Sequence, residues 1–259
     1  MEWGYTLSGF AVGILVGLTG IGGGSLMTPL LIFLYGVAPI TAVGTDLLFA
    51  AITKACGIVI HHRKSTVEWK IVRLMLAGSI PTALLVMGIL ALWKDQGQYI
   101  NSLVTFVLGI ALVLTSLAIV FKNMMHRLAD FVEQRSSDWP RRQKQATVIS
   151  GIALGILVPI SSVGAGALGT ATLLFLYPRL PMRKIVGTDI AHAVPLTAIA
   201  GMGHLGMGSV DSVLLLALLL GSLPGIWLGS HLTSVVPEKV MRPILASMLM
   251  AIGLKFIAS

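Results

Sequence analysis

The sequence predicts an all-α polytopic membrane protein of two inverted repeats, each a broken, re-entrant helix followed by three transmembrane helices. Three observations carry this expectation: an apolar composition, a self-match at a fixed offset, and the placement of the basic residues. The chain has 259 residues, of which 56% are hydrophobic and 11% charged, and its mean hydropathy is +0.92. Apolar runs cover roughly residues 6–35, 41–60, 71–93, 100–121, 146–177, 185–207, 211–231 and 240–258. A bilayer core about 30 Å thick takes about 20 apolar helical residues per crossing. The runs are continuous rather than alternating, which excludes a transmembrane β-barrel.

The first run begins in "MEWGYTLSGF", with no basic residue ahead of it and no small-residue cleavage pattern after it. It is expected to belong to the mature protein rather than to a removed signal peptide. Cys56, the single cysteine, lies inside the second run and permits neither an internal disulfide nor a cysteine metal site. The net charge of +8 sits mostly in short polar connections between runs. That pattern reports membrane topology, not nucleic-acid binding.

Shifted by 142 residues, the chain matches itself: "GILV" at 13–16 falls on "GILV" at 155–158, "FLY" at 33–35 on "FLY" at 175–177, and Gly22 and Gly24 on Gly164 and Gly166. After a one-residue slip the offset becomes 143, which places Gly44-Thr45-Asp46 on Gly187-Thr188-Asp189 and "GSIP" at 78–81 on "GSLP" at 221–224. A duplication follows, with a first membrane repeat over 1–121, a basic linker over 122–145 and a second membrane repeat over 146–259, forming one transport domain. The linker is expected on the cytoplasmic side.

Charge then discriminates between two topologies. If the runs at 6–35 and 146–177 each cross once, giving eight full spans, ten basic residues lie on the linker's side and six opposite. If each of those runs enters, turns and leaves by the same face, the counts become 13 or 14 against two, as the positive-inside rule prefers. Length agrees. Residues 6–20 make about 22 Å of helix and 25–35 about 16 Å, each too short to span alone. Each repeat then has three crossings, and an odd number inverts the second copy.

The turns are the glycine-dense breaks "TGIGGGS" at 19–25 and "SSVGAGA" at 161–167. Irregular backbone at membrane depth must be buried in protein or line a wet cavity. A short helix follows each break, and its first turn offers unpaired N–H groups and a partial positive charge to an anion. Candidate substrate-binding residues are therefore Gly22, Gly23, Gly24, Ser25, Ser161, Ser162, Gly164 and Gly166, together with Lys54. The alternative is that the glycines serve helix packing alone. The spacing GxGGG follows no strand and is no nucleotide fingerprint.

The ionisable residues inside the runs are Asp46, Lys54, Asp189 and His192, and charges at such depth are functional or paired. Asp46 and Asp189, with Thr45 and Thr188, are either coupling groups or helix caps. Lys54 aligns with Thr197 and so has no basic mate; it either serves the site or snorkels. His192 shares a helical face with Asp189 and is either a proton relay or a core histidine. His61, His62 and His204 look interfacial. Pro81 and Pro224 are expected to kink their helices. No metal-ligand spacing, nucleophile elbow, Ser-His-Asp order or HExxH motif occurs, so neither a metal, a cofactor nor a catalytic residue is assigned, and an enzyme is not expected.

The segments "GLTGIGGGSLMTPLLIFLYGVAPITAVGTDL" and "SSVGAGALGTATLLFLYPRLPMRKIVGTDIAHAVPLTAIAG" resemble the paired signature segments of the TauE/SafE sulfite exporter family, and the likeness runs through essentially the whole chain. The resemblance implies a multi-pass permease of the prokaryotic inner membrane that moves small sulfur-containing anions, sulfite or sulfonates; a secondary transporter with alternating access is expected, in which Asp46, Asp189 or His192 either couples transport to protons or tunes the local field. A passive small-anion channel is the alternative. The partners implied are the anion and the lipid bilayer, without nucleic acid; a homodimer is left open. The second break has GAGAL where the first has GGGSL, so the two half-sites are not expected to be equal.

Overall fold

A computed structural model of the protein describes residues 2–19, 24–63, 65–93, 96–122, 124, 139–232 and 238–258. The described residues form helices and no strands. The first half contains α1 (Glu2–Thr19), α2 (Gly24–Tyr35), α3 (Pro39–Arg63), α4 (Trp69–Leu92) and α5 (Gly97–Val120). The second contains α6 (Trp139–Ser161), α7 (Ala167–Leu176), α8 (Met182–Gly206), α9 (Ser212–Leu232) and α10 (Glu238–Ala258). By the offset of 142–143, α6 to α10 are the mates of α1 to α5 in order. Helix α6 starts at Trp139, inside the stretch expected as linker; residues 123 and 125–138 of that stretch lie outside the described residues.

Five helical segments are long and apolar enough to cross a membrane, among the described residues: Trp69–Leu92, Gly97–Val120, Arg142–Ser161, Met182–Gly206 and Ser212–Gly229. The protein is therefore a polytopic helical membrane protein. Local chemistry sets the helix ends. Proline opens α3 at Pro39, where its missing N–H costs nothing, and Pro181 precedes α8. Helix α8 closes on a glycine in the left-handed region, Gly208 with φ +75°. There Gly208 N–H bonds to Leu205 O and Ser209 N–H to His204 O, satisfying carbonyls that the helix leaves open.

Helices α1 and α2 fold back on each other. Tyr35, the last residue of α2, donates its hydroxyl to Gly4 O at 2.7 Å and lies 2.6 Å from Ser8 Oγ, both on the early turns of α1. Helices α6 and α7 close in the same way, with Tyr177 Oη 2.8 Å from Thr147 Oγ1 and Gln143 Nε2 donating to Leu176 O at 2.5 Å. Tyr35 and Tyr177 are mates in the duplication, as are Ser8 and Ser150.

The halves interlock rather than stand side by side. Helix α1 packs along α9, and α6 along α4. Both seams run parallel: Gly9 meets Leu218 and Gly13 meets Ser222, while Gly151 meets Met75 and Gly155 meets Ser79. Glycine is required where backbones touch. A Cβ at Gly221 would lie 1.9 Å from the Thr6 carbonyl oxygen, so these seams rely on the small-residue packing typical of membrane helices. Mated helices pack antiparallel instead. Gly44 of α3 meets His204 of α8 and Gly201 of α8 meets Leu48 of α3; Gly109 of α5 meets Ile257 of α10, and Ser116 Oγ donates to Ala246 O at 2.7 Å.

Two buried clusters result. One joins α3 to α8 around Met75, Leu154, Val158 and Leu196; the other holds Val12, Leu26, Met27, Leu112 and Leu218. Val163, from the break between α6 and α7, belongs to the second cluster together with Leu26 and Met27 at the start of α2. Each hairpin is thus embedded against helices of the other repeat.

Candidate functional site

The repeated Gly-Thr-Asp triplet is a cross-bracing device. In the first copy, the helix face at Gly44 touches the α8–α9 connection, where a Cβ would lie 2.3 Å from Ser209 O. Thr45 Oγ1 accepts a hydrogen bond from the Asp211 N–H at 3.1 Å, and Asp211 Oδ1 in turn caps α9 by accepting from the N–H groups of Val213 and Leu214 at 3.0 Å. In the second copy Thr188 Oγ1 accepts from the Glu68 N–H at 3.0 Å, at the start of α4. Each threonine holds the first turn of a helix in the opposite repeat. Beside this second brace, Lys184 Nζ pairs with Glu68 Oε1 at 2.5 Å.

Neither aspartate caps its own helix, since α3 begins at Pro39 and α8 at Met182. Both carboxylates are buried and turn to the short helices α2 and α7. Asp46 Oδ2 accepts from Thr28 Oγ1 of α2 at 2.5 Å, and Asp189 Oδ2 from Thr170 Oγ1 of α7 at 3.2 Å. Thr28 and Thr170 are duplication mates that the reading of the sequence passed over; the same self-comparison that found the aspartates contained them. The arrangement is not symmetric in detail. Asp189 Oδ1 rests against the backbone of Gly169, where a Cβ would lie 2.0 Å away, and the mate of Gly169 is Met27. Oδ1 of both aspartates is buried without a hydrogen-bond partner.

The second break supplies the middle of the site. Helix α6 ends at Ser161, and Ser162, Gly164 and Gly166 follow at φ +57°, +118° and +147°. A non-glycine residue in the left-handed region stores about 1–3 kcal/mol and persists only where its surroundings hold it. Ser161 is occupied locally: its Oγ donates to Leu157 O at 2.8 Å and accepts from the Val163 N–H at 3.2 Å. Ser162 is different. Its Oγ is buried and unpartnered, and it faces Asp46 across the repeat boundary.

The backbone ladder of α7 skips one carbonyl. Gly169 N–H bonds to Gly164 O at 2.9 Å and Thr170 N–H to Gly166 O at 2.8 Å, leaving Ala165 O between them. Lys54 Nζ of α3 donates to that oxygen. His192, one turn beyond Asp189, has Nε2 2.9 Å from Ser79 Oγ of α4 and a buried Nδ1 without a partner. Ser79, from the "GSIP" motif, is another residue that the sequence reading did not single out.

Ser25 is buried near the start of α2, and Gly24 opens that helix. Gly22 and Gly23 lie outside the described residues. Thr197, the mate of Lys54, bonds back within α8, to Ala193 O at 2.8 Å and Val194 O at 3.3 Å. His204, in the last turn of α8, is fully buried within the protein. Because α6 stops at Ser161, the carbonyl of Pro159 lacks a helical donor, and His204 Nε2 lies 2.9 Å from it. The side chains of His61 and His62 lie outside the described residues.

The short helices α2 and α7, two carboxylates and one ammonium thus gather where α3 packs on α8. The sequence model of the sulfite exporter TauE/SafE family matches residues 5–256, nearly the whole chain. The chain belongs to the TauE/SafE family. Similar proteins include the "Probable membrane transporter protein YjnA" of Bacillus subtilis, 40% identical over 97% of this chain and 98% of its own length. The "Probable membrane transporter protein YdhB" of the same organism is 28% identical over 90% of this chain and 91% of its own. A "Probable membrane transporter protein" of Methanocaldococcus jannaschii is 24% identical over 95% and 91%. No solved structure matches the chain.

Proposed function

We propose that the protein is a secondary transporter of the prokaryotic inner membrane that moves small sulfur-containing anions by alternating access, with the anion held where the two broken hairpins meet α3 and α8. The observation that carries this reading is Lys54, whose ammonium reaches the second break and bonds to the carbonyl that the α7 ladder leaves open. An anion there would meet that charge, the first-turn N–H groups of the short helices α2 and α7, and the unpartnered hydroxyl of Ser162. Ser161, whose hydroxyl is engaged within the break, shapes the loop; Ser162 is the serine that contacts the cargo.

Inverted topology gives such a site two equivalent exits. A helix and its mate packed antiparallel are related by a two-fold axis across their length, as in inverted repeats; parallel repeats would give parallel mates. The antiparallel α3–α8 and α5–α10 pairs support inversion. The return of Tyr35 to Gly4, and of Tyr177 to Thr147, supports re-entrant hairpins over eight full spans. Rocking one repeat against the other would part the Thr45–Asp211 brace on one side and the Thr188–Glu68 brace on the other.

A thermal-shift screen of the purified protein against sulfite, thiosulfate, sulfate, sulfoacetate, taurine and simple carboxylates, repeated across pH, tests the cargo class. Stabilisation by sulfur oxyanions alone is the expected result, growing with concentration as mass action requires. Stabilisation by carboxylates instead would replace the cargo.

A further inference from the structure

We propose that Lys184 and Glu68 form an ionic lock on the linker's face of the protein, and that this lock makes the empty site rest open to the opposite face. The inference rests on the transporter reading above and adds the control of its two exits. Two cross-repeat braces flank the site, the Asp211 N–H to Thr45 and the Glu68 N–H to Thr188. Helices α3 and α8 pack antiparallel, with Gly44 against His204. Thr45 therefore lies beside the last turn of α8 and Thr188 near its start, which places the two braces at opposite ends of the pair. The brace at Thr188 is the one on the linker's face. Helix α8 follows α7 after the short stretch 177–181, and the end of α7 is held by Gln143 near the start of α6, where the linker arrives.

The two braces are built from mated residues that do different work. Glu68 and Asp211 are mates at the offset of 143, as are Thr45 and Thr188. Asp211 uses its carboxylate locally, accepting from the N–H groups of Val213 and Leu214 in the first turn of α9. Glu68 precedes α4 but makes no side-chain cap there. Its longer side chain instead crosses to the other repeat, where Oε1 lies 2.5 Å from Lys184 Nζ. The mate of Lys184 is Thr41, so the equivalent position in the other brace has no cation. Opening the linker's face breaks a hydroxyl bond and an ion pair; opening the opposite face breaks the hydroxyl bond without the ion pair.

Exposure makes this pair a reversible lock rather than a permanent staple. The side chains of Lys184 and Glu68 keep 40% and 32% of their surface accessible, so the two charges part into water and neither is stranded in the interior. Pairs of this kind shift an equilibrium by about 1.5- to 5-fold, which sets the face that the empty site shows without sealing the other. Net direction stays with the gradients, because a resting preference changes populations and not the overall driving force. The brace at Thr188 uses the backbone N–H of residue 68. Glu68→Gln therefore removes the ion pair and keeps the hydroxyl bond, with Lys54 and Ser162 untouched.

The test uses the full-length protein with Cys56→Ser and a pair of spin labels, with distances read by double electron–electron resonance in lipid nanodiscs without added anion. Lys70→Cys with Arg183→Cys spans the lock, and Ala38→Cys with Ser212→Cys spans the opposite brace; all four residues are exposed. Counterflow of labelled sulfite, methanesulfonate and sulfoacetate is measured in proteoliposomes of the wild type. Its absence for all three anions would remove the transporter reading and this inference with it. Where counterflow is present, the parent with Glu68 and Lys184 intact should show a larger wide-distance population at the opposite brace than at the lock. Glu68→Gln should raise the ratio of wide to narrow distances at the lock by about 1.5- to 5-fold, and Glu68→Lys by more, since it sets two like charges together. Glu68→Lys combined with Lys184→Glu should return that ratio to the parent's, a rescue that a purely structural role for either side chain would not give. Equal or reversed wide populations at the two faces of the parent would overturn the inference. So would a lock that Glu68→Gln leaves unchanged, or that the exchanged pair does not restore.

Discussion

The contact between Asp189 and Gly169 offers the sharpest perturbation. A methyl at Gly169 would lie 2.0 Å from Asp189 Oδ1 and 3.1 Å from its Cγ. The carboxylate must retreat by about 1 Å, since Cβ contacts under 3.0 Å are essentially never seen. Its bond to Thr170 is already 3.2 Å long and does not survive that retreat. A hydrogen bond to a charged acceptor contributes about 1.5–3 kcal/mol, offset by about 1 kcal/mol gained when alanine replaces glycine in a helix. The net loss of about 0.5–2 kcal/mol corresponds to a fall of about 2- to 30-fold in the population of the competent site. Gly88→Ala is the control, because a Cβ there meets nothing within 4 Å. The assay is anion counterflow in proteoliposomes, paired with melting in detergent. Gly169→Ala transporting at the rate of Gly88→Ala and melting with it would refute the claim that Asp189 is held against α7.

Two other substitutions test the framework around it. Thr28→Val keeps shape but leaves the buried Asp46 carboxylate without its 2.5 Å donor; it should lower the melting temperature more than Thr170→Val, whose bond is 3.2 Å, by a difference on the order of 1 kcal/mol. Equal losses would contradict the inference that the shorter of the two hydroxyl–carboxylate bonds is the stronger. Gly221→Ala forces a methyl to within 1.9 Å of the Thr6 carbonyl, prying α1 from α9 at a cost of about 1–3 kcal/mol or more, and should reduce the yield of monodisperse protein; Gly97→Ala, which meets nothing within 4 Å, should not.

The parts of this architecture that were legible in the sequence are those that duplication writes twice. The glycine breaks recur at an offset of 142 and the Gly-Thr-Asp triplets and the GSIP/GSLP motifs at 143, so their alignment exposed them before any geometry was known. Lys54 was legible for the opposite reason, as a charge with no mate at Thr197. What stayed hidden depends on which atoms remain unsatisfied after folding. The role of Lys54 on Ala165 follows from one carbonyl that the α7 ladder skips, and the burial of His204 follows from the carbonyl of Pro159 freed where α6 ends. Hydrophobic pattern carries no trace of either. Thr45 and Thr188 were readable as capping residues, but the helix starts they hold belong to the other repeat, a pairing that single-chain spacing cannot reveal. Gly169 carried no signal at all, because its mate is methionine.

The central claim is that an anion crosses the membrane at the meeting of the two hairpins under the charge of Lys54. Its most direct test is counterflow of labelled sulfite, methanesulfonate and sulfoacetate in proteoliposomes holding wild type or Lys54→Ala, each checked for folding by melting. Saturable flux of at least one sulfur anion in the wild type, with loss of about tenfold or more on removing a charge-assisted contact of about 1.5–3 kcal/mol, is the predicted result. Equal flux of every transported sulfur anion through a folded Lys54→Ala protein would contradict the account.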